Sequence, residues 1–192
     1  MVLVLACAGG AAFLLTADEK PEAATPKTTP STETTKAQPA KSGDRVIIPS
    51  LDVDAPMLPV GTTSEGAQEV PSSMEATGWW KDGSKPGQPG NAVIVGHTAS
   101  KGDGVFDELG DLDKGDKITV SSGKKSLTYT VTKEQVLEVS KFATVADEIY
   151  RRTGPSGIVL MTCGDWNGTR FETTVIITAV LKVKAGNGNW SR

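Results

Sequence analysis

The sequence predicts a mainly β domain that closes, or nearly closes, into a barrel. Three observations predict it. Short apolar, β-branched runs recur at modest spacing from position 45 onward, each with the length of a strand rather than a helix. Turn-forming residues separate them, with 21 Gly and 11 Pro among the 192 residues. Helical signals are few and short. Taken in order, residues 45–48 form an apolar run stopped by Pro49, and residues 92–95 read AVIV, a buried strand. Runs 117–120 and 127–131 flank the turn Ser122-Gly123-Lys124, which is a hairpin signal, and the second run continues toward Leu137. Residues 158–161 are another apolar run, and 175–183 a long β-branched one. Residues 105–109 predict one or two helical turns and 144–152 about two. Internal repeats, a Gly-rich phosphate loop ahead of a helix, and heptads are all absent from the sequence.

Three segments of different composition frame this reading. Residues 1–17 include sixteen uncharged residues, VLVLACAGGAAFLLTA. The stretch is slightly short for a bilayer span and lacks the basic residues that precede an anchor or a signal peptide. It reads as the end of an amino-terminal membrane anchor, in preference to a cleaved signal or a lipoprotein signal at Cys7. Residues 18–43 hold Pro21, Pro26, Pro30 and Pro39 among Thr, Ala, Lys and Glu, with no Val, Ile, Leu or aromatic residue. Such a linker buries nothing and, fully extended, would reach about 80 Å. Residues 44–184 form the domain, and 185–192 a tail with little structural signal. An apolar anchor, a Pro/Thr stalk and a folded domain are the layout of a protein held at the extracellular face of a membrane. A net charge of −3 with no Lys/Arg cluster argues against nucleic-acid binding. One His and two distant Cys cannot supply a structural zinc site.

Three residues carry possible chemistry. Cys163 follows the apolar run 157–162 and precedes the polar stretch 164–168, so it is predicted at a strand end opening into a loop. The other cysteine, Cys7, lies in the anchor stretch and is expected not to pair with it. An unpaired cysteine outside the cell points to a reactive thiol, against the alternative of a small buried hydrophobe. His97 is the only histidine and follows the apolar run 91–96, so it too is predicted at a strand end. A thiolate to attack and an imidazole to move protons are the minimum pair for acyl transfer. Arg170 precedes the last long strand, where a guanidinium would favour the thiolate and stabilise a developing oxyanion. Taken singly, each also fits a solvated or packing role.

The ordered set resembles the sortase family. Leu160-Met161-Thr162-Cys163 closes one strand and Val95-Gly96-His97 an earlier one, with Arg170 before the final strand. The run from Ile47 to Pro56, the segment Gly78-Trp79-Trp80, and the approach from Pro86 to His97 are similar to that family. So are Val105-Phe106-Asp107-Glu108-Leu109 and Lys114-Gly115-Asp116. The likeness spans Arg45 to Val183 and is greatest to class F sortases of Gram-positive and related bacteria. It implies an eight-stranded sortase-type β-barrel with short helices, acting as a cysteine transpeptidase. Such an enzyme cuts a Leu-Pro-x-Thr-Gly-like sorting signal between Thr and Gly and passes the acyl group to an amine of a peptidoglycan cross-bridge or its precursor. On that resemblance Cys163 is the nucleophile, His97 the acid, Arg170 the substrate-positioning and oxyanion group, and Thr162 a substrate-binding residue. Glu172 stands nearer the final apolar run than Arg170, with the same parity.

Two other classes stay open on the residues alone. One is a hydrolytic cysteine peptidase or amidase, although papain-type enzymes place Cys at a helix start and His later in the chain. The other is a non-catalytic wall-binding module, with Trp79, Trp80 and Trp166 as stacking groups instead of packing. Asp103, Asp107, Glu108, Asp111 and Asp113 lack the spacing of a calcium loop and read as solvated surface. No metal or cofactor is expected.

Overall fold

A computed structural model describes residues 43–122 and 125–182. The expected anchor over 1–17, the linker up to residue 42 and the tail over 185–192 lie outside the described residues. Eight strands run in chain order: β1 (Arg45–Ile48), β2 (Val53–Val60), β3 (Thr77–Trp80), β4 (Gly90–Gly96), β5 (Lys117–Ser122), β6 (Lys125–Glu138), β7 (Ser156–Trp166) and β8 (Phe171–Leu181). They form a closed barrel in the order β1-β2-β3-β4-β7-β8-β6-β5, and β5 returns to β1. The mainly β, closed eight-stranded architecture is the one the sequence predicts.

Helix content is smaller than expected. Residues 105–108 are turns that lead into a 3-10 turn over Leu109–Asp111. The segment after β6 is a 3-10 helix, Val139–Thr144, followed by the single α-turn α1, Ala146–Ile149. Neither α1 nor the 3-10 helix before it has a side-chain cap at its start, so tertiary packing must hold both.

Two apolar clusters share the wall of the barrel. Ala92 and Ile94 of β4, with Ile158 and Leu160 of β7, point inward to a core that also holds Ile48, Phe106, Ile118, Tyr129 and Ile177. The alternate residues, Val93, Val95, Val159 and Met161, point outward to a second cluster with Trp80, Phe142, Ile149 and Ile176. The 139–150 segment therefore covers the outer face of β4, β7 and β8. This explains why β4 and the first part of β7 are unbroken apolar runs: both of their faces are covered. Each fully buried Ile, Leu or Phe contributes about 1.5–3 kcal/mol.

β7 departs from expectation at the residue of most interest. Its ladder with β8 continues past Cys163, pairing Cys163 with Thr174, Gly164 with Thr173 and Trp166 with Phe171. Cys163 thus stands inside a strand rather than at its end. The polar residues that follow it are a paired but largely exposed ribbon, with only residues 167–170 as loop.

Candidate active site

The site begins with the parallel pairing of β4 and β7, whose last partners are Val95 and Met161. His97 and Cys163 each stand two residues beyond that last pair. Side-chain hydrogen bonds hold this end together. The Thr162 hydroxyl donates to the Gly96 carbonyl at 2.9 Å and lies 2.6 Å from the Thr98 hydroxyl. Gly96 is required here because a Cβ would come within 2.4 Å of Phe106. That ring plugs the inner core, and the Phe106 N–H donates to the His97 carbonyl at 2.9 Å.

Cys163 has the strand parity of Val159 and Met161, so it packs half-buried against the outer cluster. It is disulfide-bonded, to a partner outside the described residues. The expectation that it stands unpaired is corrected, since which cysteines meet is decided by folding and not by the segment each occupies in the sequence. The half-buried His97 places its Nε2 2.6 Å from the carbonyl of Pro71, in the loop between β2 and β3. A carbonyl can only accept, so Nε2 carries the proton and Nδ1 is the basic nitrogen of the neutral ring. Asp107 accepts from the N–H groups of Ala99 and Gly104 at 2.7 and 2.9 Å, which ties down the loop that follows His97.

Thr162 is 2 % exposed and shares the inward parity of Ile158 and Leu160. Its hydroxyl is committed to Gly96 and Thr98, so it positions the strand end, and only its backbone stays close to the reacting residues. Arg170 lies apart from the other three. The 167–170 loop is closed by the Asn167 Oδ1, which accepts from the N–H groups of Thr169 and Arg170, each at 3.0 Å. Thr174 is the partner of Cys163, and the four residues from there back to Arg170 span about 13 Å of strand. That is longer than an arginine side chain. Arg170 instead lines an open groove of about 740 Å³ with Glu138, Ser140, Asp165, Phe171 and Glu172. The structure therefore fastens Thr162 to Gly96 and Thr98, the residues on either side of His97, and places Arg170 at the tip of the β7–β8 hairpin.

Two contributors escaped the sequence. Pro71 acts through a backbone carbonyl, which no residue type signals, whereas Thr98 stands directly beside His97 as a hydroxyl for Thr162. Among the described residues no group of three or more His, Cys, Asp or Glu is placed to hold a metal ion, and no helix is long and apolar enough to cross a membrane.

Comparison with known proteins agrees with this architecture. The family described as the sortase domain matches residues 46–182. Sortase A of Bacillus anthracis is 30% identical over 122 residues, which cover 62% of this chain and 50% of that protein. The chain thus matches about half the length of this curated relative. Sortase C-1 from Actinomyces oris superposes with a TM-score of 0.57 at 27% identity, over 73% of each chain. Sortase A of Listeria monocytogenes superposes at 0.58 with 20% identity, over 74% of this chain and 88% of that one, a likeness of fold alone.

Proposed function

The chain belongs to the sortase family, and from that premise we propose that it is a cysteine transpeptidase acting on a Leu-Pro-x-Thr-Gly-like sorting signal. The observation that supports this reading is the parallel register of β4 and β7, which runs to Val95 and Met161, two residues before His97 and Cys163. An extended peptide lies beside the half-buried Cys163, at the margin of the outer cluster that the 139–150 segment covers. The reaction uses Cys163 in its reduced form. Its thiolate attacks the Thr carbonyl carbon, and the C–N bond to Gly breaks. The imidazolium of His97 gives its Nδ1 proton to the departing Gly amine, leaving a thioester. An amine acceptor then attacks the thioester carbonyl, the neutral imidazole takes up the amine's proton, and the thiolate leaves.

Arg170 serves the substrate-positioning half of its expected role, since the groove it lines continues from the Cys163 strand. The acceptor is an amine of the peptidoglycan cross-bridge or its precursor. The enzyme works at the extracellular face of the membrane, tethered by residues 1–17, and its likeness is greatest to class F. The test is mass spectrometry of reduced protein incubated with a sorting peptide. The wild type gains the acyl mass on Cys163, and Cys163→Ala gains none. Turnover of the peptide by Cys163→Ala at the wild-type rate would remove the enzyme reading. Release of the free acid in excess amine would favour the hydrolytic alternative.

A further inference from the structure

We propose that the loop between β2 and β3, residues 61–76, is a positioning device for His97. In this device Pro71 selects the working ring nitrogen, and the Gln68–Tyr150 hydrogen bond holds the loop in place. The proposal deepens the transpeptidase reading and rests on it. The loop is a small structure of its own. Gly61 N–H donates to Glu69 Oε2 at 2.7 Å, Glu69 N–H returns to Gly61 O at 3.1 Å, and Thr63 N–H donates to Ala67 O at 2.7 Å. Two side-chain bonds anchor it to the outer cluster, one to β3 and one to the covering segment. Trp80 Nε1–H donates to the Thr62 hydroxyl at 2.9 Å, and the Tyr150 hydroxyl donates to Gln68 Oε1 at 3.2 Å. Burial pushes the Tyr150 phenol up from its ordinary range, so it stays a donor throughout the working pH range.

Gln68 shows that this contact is more than packing. The residue is 2 % exposed, yet its Nε2 has no hydrogen-bond partner among the described residues. A buried amide left half-satisfied is a poor filler compared with an apolar side chain of the same size. What Gln68 supplies in return is the acceptor for Tyr150. Tyr150 in turn stacks edge-on with Trp80, ring centroids 5.1 Å apart, and with Phe142 at 6.5 Å. This is the cluster against which Cys163 packs. Three residues beyond Gln68, the chain delivers the Pro71 carbonyl to His97 Nε2 at 2.6 Å. The Pro71 ring is itself seated over Gly78, where a Cβ would lie 2.9 Å from Pro71 Cδ. The wall that covers the outer face and the imidazole beside it are thus joined through one short loop.

His97 is the only histidine in the chain, so isotope-edited NMR of its ring nitrogens reports one site without assignment. In reduced wild-type protein, above the pH at which the ring deprotonates, the expected form is the Nε2–H tautomer with a bare Nδ1. Gln68→Met keeps the volume and removes the acceptor; Tyr150→Phe keeps the ring and removes the donor. Each is expected to give a mixed tautomer and a kcat lowered about two- to tenfold, the worth of one hydrogen bond. For Gln68→Met the KM for the peptide and the melting temperature stay near wild type. A wild-type Nδ1–H tautomer would overturn the proposal. So would variants that keep the pure Nε2–H form, whether or not kcat falls. Acyl-enzyme capture on wild-type Cys163 is scored separately. Its failure removes the transpeptidase reading, while the tautomer result stands on its own.

Discussion

The two ends of the β4–β7 pair are built from the same kind of strand and used differently. At the end where both strands begin, polar groups are locked. Asn91 Nδ2 donates to the carbonyls of Glu148 and Ile149 at 2.9 and 3.3 Å, and its Oδ1 accepts from Arg151 at 2.9 Å. Gly157 is required beside it, because a Cβ there would lie 2.7 Å from Asn91 Oδ1. At the other end the buried hydroxyl of Thr162 does the fastening, while His97 and Cys163 are left half-buried. The contrast teaches a division of labour: one end uses a dense set of hydrogen bonds around Asn91 to fix the register, and the other ends its ladder just before the two candidate reactive groups.

Substitutions at the two ends should separate along the same line. The largest effect is expected from His97→Ala, with kcat lowered by about 10²–10⁴-fold and the melting temperature near wild type, measured by peptide turnover and calorimetry. Asn91→Ala should do the reverse. Stranding the two carbonyls and the Arg151 guanidinium costs about 1–3 kcal/mol in denaturant unfolding, with kcat and KM of the folded protein unchanged. If Asn91→Ala instead slowed turnover at constant stability, the division would be wrong. Thr162→Val should show both losses in reduced form: about 1 kcal/mol of stability and a several-fold lower kcat, because the Gly96 carbonyl loses its donor. The smallest effect belongs to Arg170→Ala, a KM raised up to about fivefold at constant kcat. A collapse of kcat there would restore the oxyanion role and require the hairpin to bend over Cys163 in the complex.

What could be read from the residues divides along physical lines. β4 and the start of β7 were legible because cover on both faces makes them continuous apolar runs. β2 was not, since Pro56 and Pro59 argue against a strand. Its pairing with β1 ends at Pro56, so the proline farther along faces a strand neighbour only in β3. β3 is four residues with two tryptophans, too short for periodicity to register. Each candidate residue was visible at its strand, but the nearness of those two strands comes from a parallel pairing across β5 and β6 in the chain. The parity of Arg170 with Glu172 was readable, whereas its offset from Cys163 depends on the hairpin register. The disulfide at Cys163 was not legible, because a sequence does not say which cysteines folding brings together.

Closure of the barrel has a consequence for how a peptide can be caught. Closure gives each of the eight strands two neighbours over part of its length, so open backbone edge remains only where one ladder outruns the other. β7 is such a place: its pairing with β4 ends at Met161, while its pairing with β8 runs on to Trp166. Among the described residues, 164–166 thus have a strand partner on one side only, and a visiting chain meets free edge next to Cys163 and not all round the wall.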